Sequence, residues 1–88
     1  MKKNRFKKRL KALSLFANVG MAETYLPDVG IDVVVANELV EERANFYRHL
    51  HPNVQMITGD ITSNETFDEV RNHALKQGVD FLFATPPC

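Results

Sequence analysis

A tight glycine turn, three side chains at set distances beyond it and a proline-flanked cysteine carry the chemistry in this 88-residue chain. Phe16, Ala17, Asn18, Val19 and Gly20 make a turn into a helix, whose N-terminal amides can face an anion or a carboxylate. Glu38 lies 18 residues beyond Gly20. That is close to the roughly 20-residue spacing at which an acid accepts hydrogen bonds from ribose hydroxyls in nucleotide-binding folds. Asp60 can accept from an exocyclic amine, and Ile61 beside it can cover a base. Thr85, Pro86, Pro87 and Cys88 come last. Each residue also has a purely structural reading. Glu38 can serve as a helix N-terminal acid, and Asp60 can cap the loop before Thr62.

These residues fall at the ends of four apolar runs, and the runs are what must position them. Ala12 to Phe16, Ile31 to Ala36, Val54 to Ile57 and Val79 to Ala84, the last broken by Asp80, are apolar on both faces. Such runs suit parallel strands covered by helices on both sides. Three helical segments connect them. Met21 to Val29 contains Pro27 and stops at Gly30, and Leu39 to Leu50 places Leu39, Phe46 and Leu50 on one face before His51 and Pro52. The third opens with Thr62 and Glu65 in capping-box spacing, carries Phe67, Val70 and Ala74 on one stripe and stops at Gly78. The expected fold is α/β, a Rossmann-like parallel half-sheet of about four strands with flanking helices. Binding in such sheets sits at the carboxyl ends of the strands.

Composition narrows the class. With 44% hydrophobic and 25% charged residues the chain falls among ordinary globular proteins. No apolar run approaches the roughly 18 residues of a membrane span, and no signal-peptide core follows the basic start, so an intracellular, cytoplasmic protein is expected. A single cysteine excludes an internal disulfide. His49 and His51 point to different faces of a helix and His73 is remote, so no metal site is expected and surface histidines are the better account. The net charge of zero hides a split. Residues 1–11 carry seven bases and no acid, and the other 77 carry four bases against eleven acids. The first eleven residues form either a basic arm for nucleic-acid phosphates or a solvated segment with Phe6 and Leu10 as its apolar side. The expected division is a basic arm over 1–11 and a binding domain over 12–88.

From about Leu13 to Cys88 the sequence resembles the DNA cytosine-5 methyltransferases. Leu15-Phe16-Ala17-Asn18-Val19-Gly20 is similar to the family's first motif, which usually reads Asp-Leu-Phe-Ala-Gly-x-Gly-Gly. Ala36-Asn37-Glu38 is similar to the second, Gly59-Asp60-Ile61 to the third, and Pro86-Pro87-Cys88 to the fourth, which holds the catalytic cysteine. Ser14, Asn18 and Met21 stand where the family usually has Asp, Gly and Gly.

The resemblance implies S-adenosylmethionine as cofactor and DNA as partner, with DNA methylation of the restriction-modification type. It implies that Phe16 stacks on the adenine, Glu38 holds the ribose hydroxyls and Asp60 with Ile61 reads the adenine edge. Ala17, Asn18 and Gly20 would let backbone approach the methionine end, with Pro86 and Pro87 presenting Cys88 as the nucleophile that adds to carbon 6 of a flipped-out cytosine. Family members continue past the cysteine with a glutamate, arginines, further strands and a DNA-reading domain. The expectation is therefore a DNA (cytosine-5-)-methyltransferase's front portion, inactive alone and active with a polypeptide carrying the remaining motifs. The alternative is a non-catalytic cofactor-binding or interaction subunit that completes its sheet with a partner chain. The fourth strand is expected beside the first, with an edge open to pairing.

Overall fold

The computed structural model describes residues 9–85. The four apolar runs become β1 (Leu10–Leu15), β2 (Ile31–Glu38), β3 (Gln55–Thr58) and β4 (Phe81–Ala84). Each of the first three is followed by a crossover that returns the chain to the same end of the sheet, so every pairing is parallel. The crossovers are α1 (Met21–Tyr25) with a 3-10 turn over Leu26–Val29, α2 (Glu41–Leu50) and α3 (Asn64–Gln77). The order is β3-β2-β1-β4, the expected Rossmann-like half-sheet with its switch point between β1 and β4.

Helices cover both faces, which is why the strands carry apolar residues on both. Ala12, Val33, Ala36 and Met56 meet Ala44 and Tyr47 of α2 on one side. Leu13, Val35 and Ile57 meet Val70 of α3 on the other. The register passes from Ala12↔Val33 to Leu13↔Val35, leaving Val34 over as a bulge that packs with Val35 on the α3 side.

Several local readings are corrected by competing contacts. Leu39, Phe46 and Leu50 are exposed rather than forming the inner face of α2. That helix packs through its smallest residue, Ala44, and through Tyr47, whose hydroxyl has a buried partner. It begins at Glu41 rather than Leu39, because the Val40 amide is already taken by the Glu38 carboxylate. The cap of α3 is Ser63, whose Oγ accepts from the Thr66 amide at 3.2 Å. Thr62 cannot cap it, since its hydroxyl and amide both bond Asp60. The first helical segment ends as an α-helix at Tyr25 and tightens into the turn holding Pro27.

The first strand starts earlier than expected, at Leu10, inside the segment read as a basic arm. Arg9 Nε donates to Asp32 Oδ2 at 2.7 Å, and this contact lowers the Asp32 pKa below the usual carboxylate range. The Lys11 amide donates to Asp80 Oδ2 at 2.9 Å and its Nζ to the Gln77 carbonyl at 3.1 Å. Asp80, the break in the fourth apolar run, therefore aligns the starts of β1 and β4, and β4 begins after it. The last residues of the basic segment belong to the sheet, and residues 1–8 lie outside the described residues.

Among the described residues β4 pairs with β1 alone, and Leu82 is 52% exposed. A short, uncharged strand edge of this kind templates pairing with other chains. The 88-residue chain by itself is expected to self-associate at roughly tens of micromolar. Sedimentation velocity checks this, and a stable monomer at that concentration would show the edge to be covered.

Candidate functional site

The carboxyl end of β2 holds both neighbouring turns. Glu38, 5% exposed, accepts from the Asn18 amide through Oε1 at 2.7 Å and from the Val40 amide through Oε2 at 2.9 Å. Its carbonyl accepts from the Gly59 amide at 3.1 Å. Asn37 beside it, 3% exposed, accepts from the Ala17 amide through its carbonyl at 3.0 Å. The Asn37 side-chain amide donates to the carbonyls of Ile57 at 2.8 Å and Gly59 at 3.1 Å. Two adjacent residues thus fix the turn after β1 and the turn after β3 relative to one another. Hydrogen bonds to a carboxylate oxygen are the stronger kind, at roughly 1.5–3 kcal/mol each.

The turn after β1 carries backbone strain. Phe16 and Asn18 adopt left-handed conformations, at φ 58° and 56°. Asparagine visits that region readily, whereas a bulky residue there costs of order 1 kcal/mol and persists only where neighbours enforce it. The enforcing contact for Phe16 is Thr85, whose hydroxyl donates to the Phe16 carbonyl at 3.2 Å from the end of β4.

The strained turn forms one wall of a cavity of about 240 Å³ that is lined by Phe16, Asn18, Glu38, Asp60 and Ile61. Five of the residues singled out in the sequence therefore converge on one space. The Asp60 pKa is held below the usual carboxylate range by the hydroxyl and amide of Thr62, so its carboxylate is ionised at neutral pH. Both Thr62 bonds use Oδ1, and Oδ2 accepts none among the described residues. Asp60 thus carries the structural role of loop cap while keeping an acceptor for a ligand.

A second cavity, of about 280 Å³, adjoins the first and shares Asn18 and Thr85 with it. Ala17, Ser14 and Glu23 line this one. Gly20 lines neither. It lies against α2, where a Cβ would fall 2.6 Å from His51 Nε2 and 2.7 Å from Tyr47 Cε2, at a φ of +81°. His51 Nε2 is 3.0 Å from the Gly20 carbonyl oxygen, and its ring packs against Tyr47 with centroids 4.8 Å apart. The requirement for glycine at position 20 comes from helix packing behind the turn. Gly20→Ala is expected to cost about 2 kcal/mol or more and to lower Tm by roughly 8 °C. Thermal unfolding measures this, and an unchanged Tm would mean that α2 does not press on the turn.

The sequence marked Asn37 and Thr85 only as members of motifs and gave no site role to Arg43, Glu23 or His51. Arg43 lines the first cavity. Thr85 stood next to a recognised motif, and that adjacency was the available signal. Glu23 and His51 act through partners 24 and 31 residues away, which no spacing rule reveals. Pro86 and Cys88 lie outside the described residues.

A four-stranded parallel sheet with helices on both faces and this strand order defines a Rossmann-like α/β class. Within that class, residues 10–88 match the sequence model of the family C-5 cytosine-specific DNA methylase, and the chain belongs to that family. The Type II methyltransferase M1.HgaI of Avibacterium volantium is 49% identical over 82 residues, covering 93% of this chain and 23% of that protein. The chain thus spans about a quarter of the length of that curated relative. The crystal structure of the PH0226 protein from Pyrococcus horikoshii OT3 is similar over 66% of this chain and 29% of its own, with a TM-score of 0.52 and 32% identity. None of the helices among the described residues is long and apolar enough to cross a membrane.

Proposed function

We propose that this chain is the cofactor-binding part of an enzyme that transfers a methyl group from S-adenosylmethionine to carbon 5 of cytosine in DNA. The observation that carries this reading is the meeting of Phe16, Glu38, Asp60 and Ile61 around one cavity, in a chain of the C-5 cytosine-specific DNA methylase family. The donor set suits the cofactor. Its nucleoside is neutral and lacks a pyrophosphate, so two acids serve where a phosphate ligand would need a multi-glycine turn. Its cationic sulfonium is tolerated beside carboxylates.

In this reading Phe16 stacks on the adenine, Ile61 covers its other side and Asp60 accepts from the exocyclic amine through its free oxygen. Each Glu38 oxygen spends one lone pair on a backbone amide and offers another to the ribose hydroxyls. Ala17 and Asn18 line the adjoining space for the amino-acid end. The cofactor supplies an electrophilic methyl group on sulfur. Cys88, presented by Pro86 and Pro87, supplies the nucleophile. Its thiolate bonds to carbon 6 of a cytosine turned out of the duplex, and the electron pair of the 5,6 double bond moves to carbon 5. Carbon 5 takes the methyl group as the bond from methyl to sulfur breaks, its electron pair staying on the sulfur of the departing S-adenosylhomocysteine. Loss of the carbon 5 proton to a base then restores the double bond and expels the thiolate.

Incubating the whole protein with DNA and methyl-labelled S-adenosylmethionine tests the proposal. Label recovered as 5-methylcytosine is expected, and label on an exocyclic amine of adenine or cytosine would refute it.

A further inference from the structure

The second cavity contains an acid that the proposed reaction has not used. Glu23 is the one ionisable side chain among the residues that line it, and it is only 7% exposed. Its Oε2 accepts from the Tyr47 hydroxyl at 2.9 Å. Its Oε1 accepts no hydrogen bond, and no cation pairs with the carboxylate, among the described residues. Burial, reinforced by Glu23, pushes the Tyr47 pKa far above its ordinary value, so the phenol remains a neutral donor and supplies no counter-charge. A carboxyl group that is more than nine-tenths buried, with one oxygen bonded and the other without a partner, is an incomplete site, because a buried polar atom is costly when it is left unpaired.

The other groups around this cavity explain what is lacking. Ser14, near the end of β1 and 1% exposed, lines this space with a neutral hydroxyl, so the end of β1 brings no acid to it. Glu23 borders it from α1 instead. It also borders a separate depression of about 430 Å³ near Asp32, but Asp32 is already engaged by Arg9. Tyr47 fixes the Glu23 carboxylate, and Tyr47 is itself held by His51, which meets the Gly20 carbonyl. One cluster on α2 thus fixes both the turn and the acid.

We propose that Glu23 receives the ammonium group of the cofactor's amino-acid end. This inference rests on the reading of the adjoining cavity as the adenosine site. With the adenosine placed by Phe16, Glu38 and Asp60, the amino-acid tail enters the space shared through Asn18 and Thr85. There the ammonium gives Glu23 both a charge-assisted hydrogen bond and its missing counter-charge.

Calorimetry with S-adenosylhomocysteine, its analogue lacking the amino group, and 5′-methylthioadenosine tests the inference. For the unaltered protein, loss of the amino group is expected to weaken binding at least about tenfold, the effect of one hydrogen bond to a charged group. Glu23→Gln is expected to weaken S-adenosylhomocysteine by a similar factor and to leave the other two ligands unchanged. Equal losses for all three ligands would reveal a merely structural role and overturn the proposal. If the variant does not fold, the unaltered protein still decides the matter, since equal affinities with and without the amino group would also overturn it. Failure to bind even 5′-methylthioadenosine would instead contradict the adenosine site itself.

Discussion

Cys88→Ala is expected to reduce methyl transfer by the whole protein at least roughly 10⁴-fold, the scale seen when a covalent nucleophile is removed, while leaving cofactor affinity unchanged. The split between turnover and binding follows from where the residues act. The cavity proposed for the cofactor is assembled by the ends of β1, β2 and β3 together with Thr85, and none of its described walls depends on the thiol. The thiol is needed to raise the electron density of cytosine carbon 5, which is a poor nucleophile without addition at carbon 6. Single-turnover methylation alongside calorimetry measures both quantities. Residual turnover within tenfold of the unaltered enzyme would remove Cys88 from the reaction.

Glu38→Ala is expected to have the second largest effect, and on stability as well as binding. The substitution strips the acceptor from the Asn18 and Val40 amides together. The loss is expected to be about 3 kcal/mol or more, since each bond is to a carboxylate oxygen. For a domain whose total stability is of order 5–15 kcal/mol this is a large share. Glu38→Gln separates the two roles. Glutamine keeps one carbonyl oxygen but turns an NH2 group toward the second amide, so about half the stability should return while ribose binding remains weakened. Urea unfolding and calorimetry of both variants check this, and a Glu38→Ala protein as stable as the original would show that β2 does not anchor the turns.

The sequence displayed the sheet and the positions of its functional ends because both rest on local pattern. Runs such as Ile31 to Ala36 are apolar on both faces, and Gly30 and Gly78 end helical segments as expected, so strands, crossovers and parallel order follow. Phe16, Glu38, Asp60 and Ile61 then fall together because strand ends converge. What stayed hidden depends on pairings across long stretches of chain. Counting apolar residues favoured Leu39, Phe46 and Leu50 for the inner face of α2, yet close approach to Ala36 and Met56 selects Ala44, and the hydroxyl of Tyr47 is satisfied only by Glu23. The cap of α3 shifted by one residue because Asp60 claims Thr62. Arg9 and Asp32, paired across 23 residues, drew the last of the basic segment into the sheet. Asn37 was read as part of a motif, and its side-chain bonds to the carbonyls of Ile57 in β3 and Gly59 just after it carry no sequence signature.

The central claim is that the cavity at the carboxyl ends of the strands holds the adenosine of S-adenosylmethionine. Amide spectra of the isotope-labelled protein titrated with S-adenosylhomocysteine test it most directly. The account predicts saturable shifts concentrated at Asn18, Val40, Ile61 and Thr62, whose amides border the cavity, with Asn53 and Val54 at the opposite end of the sheet unmoved. Saturable shifts centred on Asn53 and Val54, or none at Asn18 and Thr62, would contradict it.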